Sequence, residues 1–365
     1  MKQWTRTVIT SLLLVAMLFT VCAFSACEGN GGSGDDAAKI EELTQQLSEA
    51  EKKLKEAEAE VERLGEQVES LKMTVGGTDN IDYMLSTDGS SYIAIGPKEG
   101  CTDSHFEIAT VYEGLPVTEV GDQAFMGYNQ ANLEAGTVSC VIRSVSIPST
   151  VRVIGEKAFA ELTELKDATF GGPFDGTTGK EAFISSGLEF FKFPAGQIRT
   201  PEGFLRSNHS LKTVILPDGM TTIGVNTFFD CTEIRDLYFP DSITHIEYAA
   251  FWGSFYITIA NWPTNLEYLG KEAFYYCVNI APAVHFGPNF KYFGANALYA
   301  ARSLESVTFE VTDGWYYTRS ENTTPGAADT TAMPQEKMTG DLHDLLRKPE
   351  TEEPTAMGDY FFIHA

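Results

Sequence analysis

The sequence is poor in the residues that most chemistry requires. Its 365 residues include six cysteines and six histidines, with no CxxC pair, no Cys/His metal spacing, no HExxH, no GxSxG and no glycine-rich phosphate loop. His105, His209, His245, His285, His343 and His364 are scattered, and His245 and His285 read as surface residues of a turn motif and a strand. The expectation is a chain that is not an enzyme and holds no cofactor or metal, although a triad assembled only in space leaves no such signature. Positive charge is scarce as well: 26 Lys and Arg stand against 51 Asp and Glu, a formal charge of −25. Each phosphate contact takes a Lys or Arg, so this excess argues against nucleic acid or anionic lipid as a partner. There is no LPxTG-like sorting signal and no C-terminal hydrophobic span, so any anchor is expected at the N-terminus.

That N-terminus carries Lys2 and Arg6 ahead of an apolar run from Val8 to Phe24, too short for a stable span and followed at once by small residues. Residues 1–26 read as a signal peptide. Phe24-Ser25-Ala26-Cys27 resembles the lipobox of bacterial lipoproteins, with Phe24 where Leu is usual, and that resemblance makes the Cys27 thiol the diacylglycerol acceptor. The other reading is a plain secretory signal cut near Ala26, with Cys27 incidental. Residues 27–36 are a Gly-rich acidic tether. Of the six cysteines, Cys231 and Cys277 share a repeat position and read as small buried side chains, while Cys101 and Cys140 can either stay free or pair in an oxidising compartment.

Over residues 37–76 the apolar positions Ile40, Leu43, Leu47, Ala50, Leu54, Ala57, Val61, Leu64, Val68, Leu71 and Val75 alternate steps of three and four. This is a coiled-coil seam flanked by Glu, Lys and Gln, and at 1.5 Å per residue it gives a rod of roughly 54 Å. Ala50, Ala57 and Gly65 weaken association. A parallel homodimer or homotrimer and a lone charged helix acting as spacer both fit.

Beyond residue 80 a repeat governs the chain. Ile142–Pro148, Leu188–Pro194, Leu211–Pro217, Ile234–Pro240 and Ile257–Pro263 each end in a large apolar residue followed by Pro. Equivalent positions fall at 148, 171, 194, 217, 240, 263, 287 and 310, in steps of 23 with one of 24. About eleven residues later comes an Ala-Phe pair preceded by Gly, as in Gly121…Ala124-Phe125, Gly155…Ala158-Phe159, Gly179…Ala182-Phe183, Gly270…Ala273-Phe274, and Gly294…Ala297-Leu298. Gly224…Thr227-Phe228 is a variant, while Glu247…Ala250-Phe251 and Thr200…Gly203-Phe204 lack the Gly. A unit of 23 residues with one strand and one Phe cannot enclose a core, so neighbours must stack. Period two turns Leu237 with Phe239, Val214 with Leu216, and Val307 with Phe309 inward. The Pro ends each strand, and the Gly is expected to supply a positive φ for a tight coil.

At these residues the chain resembles the leucine-rich repeats of BspA-like surface proteins; Pro240-Asp241-Ser242-Ile243-Thr244-His245-Ile246 and Val151-Arg152-Val153-Ile154-Gly155 fit the unit closely. The lead-in from Tyr83 to Phe125 is similar to the opening segment that such proteins carry. The resemblance covers residues 80–310. It implies a leucine-rich-repeat solenoid of short parallel β-strands, turns and short helical segments, together with surface exposure and adhesion or binding of extracellular proteins or glycans. A structural role against the producer's own wall, or capture of a substrate for a transporter, are the other functions in view. The chain departs from the pattern in a longer second unit, Asn129 to Cys140, and in a degenerate one around Thr200–Phe204. Residues 311–365, with Leu342, Leu345, Leu346 and Tyr360–Ile363, read either as a cap on the last repeat or as a separate partner-binding tail.

A ligand is expected on the strand residues that point outward. Two before each anchor these are Thr169, Lys192, Ile215, Tyr238, Asn261, His285 and Thr308; four before, they include Phe190 and Ile259. Phe190, Ile215, Tyr238 and Ile259, with Lys192 beside them, would form an apolar strip on rungs about 4.8 Å apart. The competing reading is ordinary strand preference for β-branched and aromatic residues, or cover by the stalk or the tail.

Overall fold

The structure, a computed structural model, describes residues 34–72, 75–318, 327, 331–333 and 361–364. The signal peptide, Cys27, the first part of the tether and the stretch around Leu342–Leu346 lie outside the described residues. The described residues form two units, one within Met1–Thr74 and one within Val75–Ala365.

In the first unit one α-helix runs from Gly34 to Lys72, beginning inside the segment read as tether. Lys53 pairs with Glu49 and Arg63 with Glu60 at the one-turn spacing that brings side chains together on a helix surface. Leu54 is half-buried and Val61 is exposed. What is seen is a helix; the coiled coil read from the heptads is not supported by it. Among the described residues no helix is long and apolar enough to cross a membrane.

The second unit is a stacked series of coils with a period near 23 residues, and most coils lay down two short strands. The first face consists of parallel strands Ser144–Ile147, Asp167–Phe170, Phe190–Lys192, Thr213–Ile215, Leu237–Tyr238, Ile259–Asn261, Ala283–Phe286 and Ser306–Phe309. They pair at one-coil offsets in separate groups of two or three strands, for example Val145↔Ala168, Phe191↔Val214 and Val284↔Val307. The second face includes the strand Val153–Ile154 of the segment Val151-Arg152-Val153-Ile154-Gly155. It is a parallel sheet of two-residue strands, in which Thr222, His245, Tyr268 and Tyr292 align. The expected inward residues Val214, Leu216, Leu237, Phe239, Val307 and Phe309 are all buried. The repeats bend through turns, not the expected helical segments; the one short helix among the described residues of this unit, Gln130–Glu134, lies in the insertion of the second coil, capped by Asn129 accepting from the Asn132 N–H.

A third backbone ladder runs along the corner that holds the Ala-Phe pair. The N–H groups of Lys157, Phe159 and Glu161 donate to the carbonyls of Lys180, Ala182 and Ile184, and Ala249, Phe251 and Gly253 repeat the pattern onto Lys271, Ala273 and Tyr275. All three donors can face the next coil only if the chain reverses hand on either side of the Phe. Lys157 and Glu161 have φ of 55° and 59°, and Glu181 with Ser185, Asn226 with Asp230, and Glu272 with Tyr276 do likewise. Exposed Glu161 bears this strain without a side-chain partner that could offset it. Glu161→Gly is expected to raise stability by up to about 1 kcal/mol; a lowered urea midpoint would contradict the assignment.

The repeated Gly therefore has a different role from the one expected. None of Gly155, Gly179, Gly224, Gly270 and Gly294 has a left-handed φ. Each lies flat on the preceding coil, where a Cβ would sit 2.1–2.5 Å from a backbone atom: Asp122 N, Glu156 N, Thr200 O, Glu247 C and Lys271 N respectively.

The core is a file of aromatic rings. Phe125, Phe159 and Phe183 stack at centroid separations of 5.3 and 4.8 Å, and Phe228, Phe251 and Phe274 at 5.0 and 4.9 Å. The degenerate unit breaks the file. Its left-handed pair is Gly203 and Ser207, which places Leu205, not Phe204, at the plug position. Phe204 takes the alanine position and packs on Phe191 and Phe193, and Phe193 reaches Phe228 across the break. Cys231 and Cys277 are fully buried, as expected, and each thiol donates to the plug carbonyl one coil earlier, Leu205 or Phe251; burial pushes the Cys231 thiol up to about 12.

At the two ends the sheet changes direction. Ile81–Leu85 pairs antiparallel with Tyr92–Pro97 at the start. At the other end Phe361–His364 pairs antiparallel with Tyr292–Phe293 and with Trp315–Thr318. Phe362 and Trp315 are buried there, so this part of the tail covers core that an open last coil would expose.

Candidate binding surfaces of the solenoid

On the first face, Phe190 is 45% exposed, Ile215 43% and Tyr238 62%, and Lys192 is also exposed. Their outward orientation comes from strand alternation, because Phe191, Val214 and Leu237 between them fill the core. Lys192 lies directly across from Ile215, and Phe190 across from Thr213. Beside this strip an ion-pair ladder crosses three coils. Glu189 accepts from Lys212 at 2.9 Å and from Lys166 at 3.2 Å, and the two ammonium groups hold its carboxyl below the usual range.

Ile259 does not belong to the strip. It is 8% exposed and pairs with Leu237, whereas Tyr238 pairs with Asn261, so Ala260 bulges outward. Side chains replace the lost ladder: Asn261 Oδ1 accepts from the Phe239 N–H at 3.0 Å, its Nδ2 donates to the Phe239 carbonyl at 2.7 Å, and Thr258 Oγ1 accepts from the Asp236 N–H. The single extra residue inverts the facing of every residue before it in that strand. The strip is thus Phe190, Ile215 and Tyr238, ending at a bulge.

A second surface went unread in the sequence. The residue after the plug is Phe229, Trp252, Tyr275 and Tyr299 in four successive coils, with Arg206 in the coil before. Phe229 and Trp252 stack at 4.6 Å, Trp252 and Tyr275 at 5.7 Å, and Tyr275 and Tyr299 at 4.6 Å, all within 12° of parallel. The Arg206 guanidinium lies 4.8 Å over Phe229. Phe229, Trp252 and Tyr275 each use both faces on their neighbours, an arrangement that stiffens the corner. These residues recur at steps of 23, 23 and 24, one position past the plug, and that spacing is visible in the sequence.

Among the described residues the histidines hold separate places. His245 stacks on Tyr268 within the second sheet, and His285 Nδ1 shares a hydrogen bond with Thr308 Oγ1 on the first. Among the described residues no group of three or more His, Cys, Asp or Glu could hold a metal ion.

Among curated protein sequences none matches the chain. Solved structures to which it is similar include a leucine-rich repeat protein of T. pallidum, with 26% identity, 62% of this chain and 89% of that one covered, and a TM-score of 0.43. A leucine-rich cell surface protein of Faecalibacterium prausnitzii follows at 21% identity, 65% and 70% coverage and a TM-score of 0.45. A leucine-rich repeat protein of Bacteroides ovatus matches at 20% identity, 64% and 71% coverage and a TM-score of 0.43. The profile of the BspA type leucine rich repeat region matches in six copies over residues 116–202 and 200–313, more than half of the sequence. With the period, the paired strands and the plug file, that match places the chain in the BspA-type leucine-rich-repeat family, bacterial repeat proteins usually found at the cell surface.

Proposed function

We propose that the protein is a lipid-anchored surface adhesin that captures an extracellular protein or glycan through the first face of its solenoid. The observation that carries this reading is the strip itself: three large apolar side chains, between 43% and 62% exposed, on stacked coils, with Phe190 and Ile215 on one pair of strands and Tyr238 on the next. Exposed aromatic and branched side chains fixed on a rigid sheet lose little entropy on binding, which is the composition and rigidity of interface hot spots. Lys192 and the Lys166–Glu189–Lys212 ladder supply a polar rim.

The remaining parts fit a displayed receptor. The lipobox-like Phe24–Cys27 supports acylation at Cys27, and the helix Gly34–Lys72 supports a spacer between lipid and solenoid. The three-four spacing of its apolar residues supports parallel pairing of that spacer in a dimer or trimer.

The test is binding of the purified protein to immobilised matrix proteins, mucins and the producer's own wall fragments. Saturable binding to a matrix protein or mucin that falls at least about tenfold in Tyr238→Ser combined with Phe190→Ser, with the thermal midpoint unchanged, is the expected result. Binding untouched by that pair sinks the assignment to this face, and binding to self-wall alone replaces adhesion with a structural role.

A further inference from the structure

We infer that Cys101 and Cys140 form a redox-made disulfide that ties the opening segment of the solenoid to the insertion of its second coil. The register sets it up. His105–Glu107 and Ser144–Ser146 pair in parallel, with His105 opposite Ser144. Both cysteines precede those partners by four residues, in the segments that lead into the two paired strands. The rung is continued toward them by the Arg143 N–H, which donates to the Ser104 carbonyl at 2.8 Å. Neighbouring strands run about 4.8 Å apart, inside the Cα separation that a disulfide spans.

Each cysteine is held from its own side. Cys101 ends a turn in which its N–H donates to the Lys98 carbonyl at 3.0 Å, and its sulfur accepts from the Asp103 N–H at 3.4 Å. Cys140 closes the insertion, whose base is pinned by the Ile142 N–H on the Tyr128 carbonyl at 3.0 Å. The two thiols are close enough to influence each other, with Tyr128 near both, and Cys101 Sγ also lies 3.8 Å from Asp103 Oδ2. Cys231 and Cys277 provide the contrast, since each is sealed in the core and bonded to a carbonyl of a different coil.

Exposure orders the chemistry. Cys140 is 2% exposed, and burial pushes its thiol up to about 12, while Cys101 is only half-buried. With a low-molecular-weight disulfide as oxidant, Cys101 gives up its proton to solvent and attacks one sulfur, releasing one small thiolate and leaving a mixed disulfide. Cys140 then loses its proton and attacks Cys101 Sγ, expelling the second small thiolate. Two protein S–H groups are oxidised, and one small disulfide is reduced to two thiols. The bond closes a loop from residue 101 to residue 140 that no other covalent link spans.

The test uses the full chain equilibrated with oxidised glutathione, alkylated under native conditions and mapped by mass spectrometry. A peptide linking Cys101 to Cys140 is expected, with Cys231 and Cys277 alkylated only after denaturation. Reductant should lower the thermal midpoint of the oxidised protein by on the order of 5–10 °C and leave Cys101→Ser and Cys140→Ser unmoved. Recovery of both cysteines as free thiols after oxidation, or an equal response to reductant in the wild type and the variants, overturns the inference.

Discussion

Gly179→Ala is expected to cost about 3 kcal/mol or more, and Gly121→Ala almost nothing, although the two glycines hold the same place in the repeat. At Gly179 a Cβ would lie 2.4 Å from Glu156 N, 2.6 Å from its Cα and 2.7 Å from Gly155 C. All three are backbone atoms, so no side chain can swing aside. Relief requires the coils to part, which lengthens the bonds from the Gly179 N–H to the Ile154 carbonyl at 2.7 Å and from the Lys157 N–H to the Lys180 carbonyl at 3.0 Å. Gly121 instead lies against the opening hairpin, where the nearest atoms to a Cβ are the Ala94 carbonyl and an Ile93 methyl at 3.5 Å, ordinary contact. Were these glycines needed for a left-handed φ, both substitutions would hurt alike. Urea midpoints of the two single variants decide the matter, and equal losses would refute the close-approach account.

That distinction marks where the sequence stopped being legible. The period, the inward-facing strand residues and the Phe file follow from spacing alone, because a 23-residue unit with one strand has no other way to bury its apolar side chains. The reason for the glycine did not follow, since a tight turn and a close approach select the same residue. Ile259 was misplaced for a similar reason: Pro240 and Pro263 keep the regular step, while the pairing inside runs 22 residues from Leu237 to Ile259 and 23 from Tyr238 to Asn261. A bulge that begins and ends within one coil leaves no trace in the anchor spacing. Phe204 was assigned as a plug on residue type, whereas the left-handed Gly203 and Ser207 fix Leu205 there. The Cys101–Cys140 juxtaposition needed the strand register, which crosses an insertion that hides the repeat. Of the candidate strip, three apolar positions and Lys192 were readable, and only the one beside the bulge was not.

Phe251→Ala is expected to remove about 3–5 kcal/mol and to split the unfolding of the solenoid into two transitions. Phe251 is fully buried, stacked on Phe228 at 5.0 Å and on Phe274 at 4.9 Å, with Phe239 edge-on at 6.0 Å. The walls of the resulting cavity are held by the ladders of the second sheet and of the corner, which resist collapse, and the cost lies at the upper end for a deleted ring. Because each coil touches only its neighbours, the two interfaces that share Phe251 lose their largest contact together, and the coils on either side become separately cooperative. Phe251→Leu should restore all but about 1–1.5 kcal/mol, since Leu205 and Leu298 already occupy this position in two other coils. Trp252 and Trp262 flank the site and report on it by fluorescence during urea denaturation. Coincident fluorescence and circular-dichroism transitions in Phe251→Ala, or a Leu variant no more stable than the Ala variant, would show that the ring file contributes less than the ladders around it.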